Sequence, residues 1–129
     1  MVHLTQSSYE EIALPGSPFS TWPVAKAALT ADVIINVPVA KHHSLSRATV
    51  GIKNLMGLAG GDRGKWHRSL PESILAIQNV LCPEVTVLDA TRILMNHGPQ
   101  GGRIEDVRTT AIIAASPDAF AVDAFGCEL

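Results

Sequence analysis

The sequence predicts an α/β fold, a mostly parallel sheet flanked by helices, and three apolar runs carry that prediction. They lie at residues 33–37, 85–89 and 110–115, are short, continuous and rich in β-branched or small apolar side chains, and resemble strands covered on both faces. Segments of helical character separate them, the alternation that builds an α/β architecture.

At 129 residues and 47% hydrophobic side chains, the chain matches one globular domain able to bury a core. Residues 1–19 read as a lead-in arm or strand and residues 20–129 as the α/β domain proper. After the arm, Ser20 or Thr21 caps a short expected helix with Pro23 in its first turn and Val24, Ala27 and Ala28 as its apolar face, ending near Ala31. Asp32 opens the first strand run and Pro38 closes it. The clearest helix follows residue 69. There Ser69-x-x-Glu72 has the form of a capping box, Leu70, Ile74, Ile77 and Leu81 share one face, and Pro83 ends the helix. Val85-Thr86-Val87-Leu88-Asp89 is the second strand and Thr110 to Ala115 the third. The last helix takes Ser116 as cap, Pro117 at its first position and Asp118 at the positive end of its dipole, then runs through Ala121, Val122 and Phe125. Only Gly126 resembles a stop, so the expectation is an incomplete domain, cut while an element is being built.

Composition excludes several classes. Ten Lys and Arg against 12 Asp and Glu leave a formal charge of −2, which offers no global field for nucleic acid or an anionic membrane. Aromatic residues make up 5% and none alternate with basic ones as a single-strand platform requires. No apolar run approaches the roughly 20 residues that span a bilayer. Met1-Val2-His3-Leu4-Thr5 lacks the charged-then-apolar pattern of an export signal, so a soluble, cytoplasmic chain is expected, or one whose signal lies in a missing portion. Cys82 and Cys127 are too few and too far apart for a zinc or iron-sulfur ligand set and read as free buried thiols.

Open α/β sheets bind ligands beyond the carboxyl ends of their strands. That rule brings Lys41, His42 and His43, then Asp89, Thr91 and Arg92, then Ser116 and Asp118 to one expected edge. The densest chemistry lies in residues 38–68. Lys53-Asn54 is followed by Gly57, Gly60 and Gly61 and then Asp62-Arg63-Gly64-Lys65-Trp66-His67-Arg68, glycines beside cations as in an anion cradle. It is not a P-loop, because the glycine spacing is absent and Trp66 follows Lys65. A second glycine loop, Asn96-His97-Gly98-Pro99-Gln100-Gly101-Gly102, can close over the same edge.

The candidate ligand-binding residues are therefore Lys41, Lys53, Asn54, Gly57, Asp62, Arg63, Gly101 and Gly102. Lys53, His67, Asp89 and His97 are candidates for catalysis or proton transfer, since neutral His serves as base or ligand near neutral pH and nearby cations lower its pKa. A divalent metal has candidate ligands in His42, His43, His67 and His97, although adjacent residues of an extended segment point to opposite sides. Bland alternatives stand beside these. Single cations are mostly solvated, glycines mostly serve turns, Asp89 can cap a turn, and His3 is read as structural.

One family resemblance rests on several separated motifs. They are Ala31-Asp32-Val33-Ile34-Ile35-Asn36-Val37-Pro38 with Lys41-His42-His43, then Thr49-x-Gly51-Ile52-Lys53-Asn54-Leu55-Met56-Gly57, and Asp62-Arg63 with His67. Further along stand Val87-Leu88-Asp89-Ala90, Gly98-Pro99-x-Gly101-Gly102 and Ala121-Val122-Asp123-Ala124. From about Ala31 to Gly126 the chain resembles the DUF362 family, uncharacterised bacterial and archaeal proteins that are often iron-sulfur-associated. The resemblance implies a longer parent with a preceding α/β portion, and in many members an export signal or a ferredoxin-like module; this chain holds no cluster ligands of its own. It departs from the family in having Pro117 before Asp118, where Asp-Pro is usual. A more distant likeness, to the N-terminal domain of nickel-pincer lactate racemases, transfers no residue. Two functions follow as expectations: a domain that binds an anionic or metal-containing ligand, or a noncatalytic scaffold that pairs with an iron-sulfur protein or with its own copy as a homo-oligomer.

Overall fold

A computed structural model describes residues 5–129, and His3 lies outside the described residues. The chain divides into two compact units, Met1–Ile34 with Leu55–Cys82, and Ile35–Asn54 with Pro83–Leu129.

In the first unit, β1 (Tyr9–Ala13) and β2 (Thr21–Ala25) form an antiparallel pair with Tyr9 opposite Ala25 and Ala13 opposite Thr21. The helix expected from Ser20 to Ala31 is thus largely a strand, and only one turn, α1 (Lys26–Leu29), remains helical. Trp22 and Val24 point inward at the two-residue period of a strand, and pairing with β1 supplies hydrogen bonds that local propensity does not foresee. Pro23 is tolerated because β2 pairs along its length only with β1; its other edge makes a single bridge, Val24 with Ala59, and there the Pro23 carbonyl accepts from Gly60 N at 2.8 Å.

Helix α3 (Leu70–Leu81) falls where its periodicity places it, burying Ser73, Ala76, Ile77 and Leu81. Cys82 ends it in the left-handed conformation (φ 40°) just before Pro83. The capping box does not form, since the Ser69 side chain makes no cap bond; Pro71 in the first turn removes one of the N–H groups that needs a partner. Leu14, Trp22, Val24, Trp66 and Ile77 belong to the core of this unit. Both cysteines are free as expected, but they are exposed rather than buried; Cys82 Sγ, at the helix end, donates to Asn79 O at 3.0 Å.

The second unit is a five-stranded mixed sheet around β6 (Val85–Leu94). Along one side of β6 runs β7 (Val107–Ser116), antiparallel from Thr86 opposite Ser116 to Leu94 opposite Val107. The short β3 (Ile35–Asn36) and then β4 (Val39–His43) pair with β6 in parallel, and β5 (Arg47–Thr49) folds back on β4 as a hairpin. A single turn, α2 (Gly51–Asn54), follows β5, and α4 (Ala119–Glu128) contributes Val122 to a cluster with Ala40, Val50, Leu88, Ala90 and Ile93.

An α/β arrangement is therefore present, with four corrections. The first apolar run is paired only at Ile35–Asn36, and Val33, Ile35 and Val37 are 59%, 59% and 58% exposed rather than covered on both faces. Pro38 does not end the pairing, because its carbonyl accepts from Asp89 N at 2.8 Å and the chain resumes as β4. The second strand continues to Leu94, so Asp89, Thr91 and Arg92 lie inside it instead of beyond its end. The third strand is antiparallel, because residues 95–106 contain one 3₁₀ turn and no crossover helix, whereas a parallel return needs a longer connection. Ser116 and Asp118 consequently follow a strand end that lies beside the beginning of β6. The α4 cap is Asp118, accepting from Phe120 N at 2.9 Å and Ala121 N at 3.2 Å, while Ser116 Oγ accepts from Asp118 N at 3.0 Å. Among the described residues no helix is long and apolar enough to cross a membrane.

A candidate anion site beside the β4–β5 hairpin

The hairpin pairs Lys41 with Thr49, His42 with Ala48 and His43 with Arg47. Alternation puts Lys41, His43, Arg47 and Thr49 on one face and His42 and Ala48 on the other. The chain then turns directly into α2, and four residues after Thr49 the Lys53 ammonium donates to Thr49 Oγ1 at 3.3 Å. Lys41 and Lys53 thus approach one threonine from two elements. Among the described residues neither is paired with a carboxylate; Asp106 instead lies 3.0 Å from His97 Nδ1, and Glu105 pairs with Arg103 at 3.2 Å. Burial, and secondly the Lys41 charge, push the Lys53 amine down from 10.5 to about 8. A mostly apolar cavity of about 410 Å³ opens beside the hairpin, where Lys41, His42, Arg47 and Thr49 meet Val50, Ile93 and Met95; Lys53 is not part of its lining.

Three elements clamp the turn that carries Lys53. From α4, Asp123 Oδ1 accepts from Gly51 N at 2.5 Å and from Ile52 N at 3.2 Å. From the end of β3, Asn36 Nδ2 donates to Gly51 O at 2.8 Å, and Asn54 Nδ2 donates to Asn36 Oδ1 at 2.9 Å. From β6, Thr86 comes so close that a Cβ at Gly51 would meet its methyl at 3.3 Å and the Asp123 carboxylate at 2.6 Å. Glycine at 51 lets the carboxylate reach the start of the turn. Burial raises the Asp123 pKa above the usual carboxylate range, opposed by the bonds from Ile52 and Gly51.

An ammonium held in this way opposes folding. The folded-state pKa of Lys53 lies below the unfolded value, so between about 8 and 10.5 the unfolded chain binds more protons and stability rises with pH. Lys53→Met is expected to be more stable than the parent at neutral pH by on the order of 1 kcal/mol, a figure reduced for solvent screening. Urea titrations at a series of pH values check this: the advantage should fade through that window, and a constant or growing advantage refutes it.

The other candidates have local partners. His42 Nδ1 accepts from Gly98 N at 3.1 Å, and His43 Nδ1 accepts from Leu45 N at 3.2 Å and Ser46 N at 3.3 Å. Asp89 Oδ1 accepts from Thr91 Oγ1 at 2.6 Å and Thr91 N at 2.9 Å across a β-bulge, bonds that hold its carboxyl below the usual range. His97 pairs with Asp106 at 3.0 Å; the bond from Arg103 N and then that from His97 depress the Asp106 pKa. Gly101 and Gly102 take φ of 107° and 84°, which glycine adopts without strain.

Gly57, Asp62, Arg63 and His67 belong to the other compact unit. Gly57 sits exposed in the 3₁₀ turn Leu55–Leu58, Arg63 Nη1 donates to Met56 O at 3.2 Å, and Asp62 accepts from Gly64 N at 3.2 Å. His67 Nδ1 lies 3.3 Å from Gly64 O. Among the described residues no three His, Cys, Asp or Glu side chains gather as a metal-binding group. Two cysteines do not make the four-thiolate set of a common iron-sulfur cluster.

Sequence reasoning named Lys41, Lys53 and Asn54 as candidates and gave no role to Thr49, Asn36 or Asp123. The available signal was polar residues inside apolar surroundings: Asn36 within a β-branched run and Asp123 within Ala121-Val122-Asp123-Ala124.

The model of the family described as "Domain of unknown function (DUF362)" matches residues 1–128. The thylakoid-associated protein sll1697 of Synechocystis sp. is 33% identical over 113 residues, covering 81% of this chain. The chain spans 34% of that relative's length. No solved structure matches.

Proposed function

The chain belongs to the DUF362 family, and from that premise we propose that it binds a small anionic ligand between Lys41 and Lys53. The observation that carries the proposal is the pair of lysines around Thr49 without a carboxylate partner among the described residues. Two like charges brought together in partly buried positions lower stability unless something compensates them, and a bound anion does so through charge-assisted hydrogen bonds. Arg47 on the same hairpin face adds a third cation, and the Thr49 hydroxyl adds a neutral donor.

Calorimetric titration with inorganic phosphate tests this reading. Lys41→Ala and Lys53→Ala should each weaken binding about 10-fold, the worth of one charge-assisted hydrogen bond. Lys65→Ala, in the other compact unit, should leave it unchanged. Parent-like phosphate binding by both hairpin variants overturns the proposal.

One observation favours a second reading, association with another copy of the chain. Ile35, Val39 and Ile113 are 59%, 46% and 67% exposed, and their registers with Val85 and Asp89 place them on one sheet face. These side chains flank Asp89 on that face, and exposed apolar groups so placed favour association, most often with two-fold symmetry. Sedimentation at micromolar concentration should then show a dimer that Ile113→Lys dissociates; a clean monomer removes this reading.

A further inference from the structure

We infer that Lys53 is an amine nucleophile toward the carbonyl carbon of small anionic aldehydes and 2-oxo acids, with Lys41 holding the carboxylate of the reacting molecule. The inference rests on the anion site proposed above and specifies the ligand class that site takes.

The geometry supports it in three ways. First, the side chain leaves a turn whose start is pinned by Asp123, Asn36 and Thr86, and its amine is tied to Thr49 Oγ1 at 3.3 Å. Second, Lys41 stands across the ladder from Thr49, whose Oγ1 accepts from Lys53, and its charge acts on the Lys53 amine, so both amines serve one neighbourhood. Third, the Thr49 hydroxyl accepts from Lys53 and retains its own proton to donate to a carbonyl oxygen.

Reactivity requires the neutral amine. With its pKa at about 8, Lys53 is roughly a quarter neutral at pH 7.5, against about one part in a thousand for an ordinary lysine. The titratable and charged groups on the surrounding elements are Lys41, His43 and Arg47 on the same hairpin face, Asp89 on β6 and Asp123 on α4. Burial first, and the Lys41 charge second, lower the Lys53 pKa; Asp89 is held by Thr91, Asp123 by the first N–H groups of α2 and His43 by Leu45 and Ser46 N–H.

The chemistry balances without a redox partner. The nitrogen lone pair forms a bond to the carbonyl carbon, the C=O π pair moves to oxygen, and the oxygen takes a proton. Nitrogen releases a proton to solvent, and loss of one water from the carbinolamine leaves an imine. In the experiment alone, cyanoborohydride delivers hydride to the imine carbon and fixes the adduct as a secondary amine.

The test uses the full chain, glyoxylate as the anionic aldehyde, acetaldehyde as the neutral one, cyanoborohydride as trap, and peptide mass mapping of Lys26, Lys41, Lys53 and Lys65. Glyoxylate is expected to label Lys53 at least ten-fold faster than Lys26 or Lys65, with a rate that rises through a midpoint near pH 8. Lys41→Ala should cut glyoxylate labelling of Lys53 several-fold more than acetaldehyde labelling. Lys53→Arg, which keeps the charge and the fold, should abolish the fast phase. Even labelling of all four lysines, or a Lys53 midpoint no lower than that of Lys26, overturns the inference. A phosphate titration on the same sample separates the two proposals: binding without selective labelling ends only this one, and absence of both ends both.

Discussion

Asp123→Ala is expected to lower the unfolding free energy by about 3 kcal/mol in urea titrations, the order of loss when charge-assisted bonds to buried N–H groups are removed. The carboxylate accepts from Gly51 N and Ile52 N, both residues are buried, and alanine leaves these donors with no replacement from α4. Asp123→Asn retains an oxygen that can accept from both, so it should cost less than half as much. The pair of variants therefore separates loss of the acceptor from loss of the charge. Burial raises the folded-state pKa of Asp123, so the stability this shift contributes is fully present below the unfolded value and is lost as pH rises through the folded one. The gap between Asp123→Asn and the parent should move in favour of the variant from about pH 4 toward neutrality. Movement the other way would mean that the two backbone bonds outweigh desolvation. Because the same carboxylate pins the turn that carries Lys53, the alanine variant should also lose phosphate affinity in conditions where it remains folded.

Trp66→Ala should destabilise the chain by about 4 kcal/mol, the usual cost of emptying an aromatic site in a packed core. Trp66 is 0% exposed and meets Trp22 edge-on at 5.4 Å and 61°; Trp22 in turn lies 4.8 Å from Phe19. Trp66→Phe is the informative companion. The indole Nε1 is buried with no hydrogen-bond partner among the described residues, so phenylalanine removes an unpaired donor along with volume and should cost far less. Equal losses in the two variants would show that the indole N–H has a partner after all. Either outcome bears on how the cationic run is read, since Trp66 stands between Lys65 and His67. A fully buried residue at its centre means that this segment is held by packing, with Arg63 bonded to Met56 O and Asp62 to Gly64 N.

Much of the candidate site was visible as residue types. Lys41 stood out after an apolar run and Lys53-Asn54 ahead of a glycine-rich cationic segment; in the structure Lys41 lies opposite Thr49 and Lys53 donates to it. Their partners did not stand out, because Asp123 lies 72 positions from Gly51 and nothing local to either residue announces the bond. Asn54 illustrates the converse: it looked like a ligand contact, but its side chain donates to Asn36.

What the sequence by itself determined is whatever depends on neighbours a few residues away. Helix α3 between residue 69 and Pro83, and the presence of strands within the second and third apolar runs, follow from local periodicity and backbone chemistry. Tertiary structure decided the remainder: that residues 21–25 pair as a strand with β1, that β7 runs against β6, that Pro38 joins two strands rather than ending one, and that an acid on α4 holds the turn bearing Lys53. The physical reason is that side-chain period records which face of an element is buried. The direction of a strand and the identity of its partner depend instead on loop closure and on hydrogen bonds between distant segments, and neither leaves a local trace.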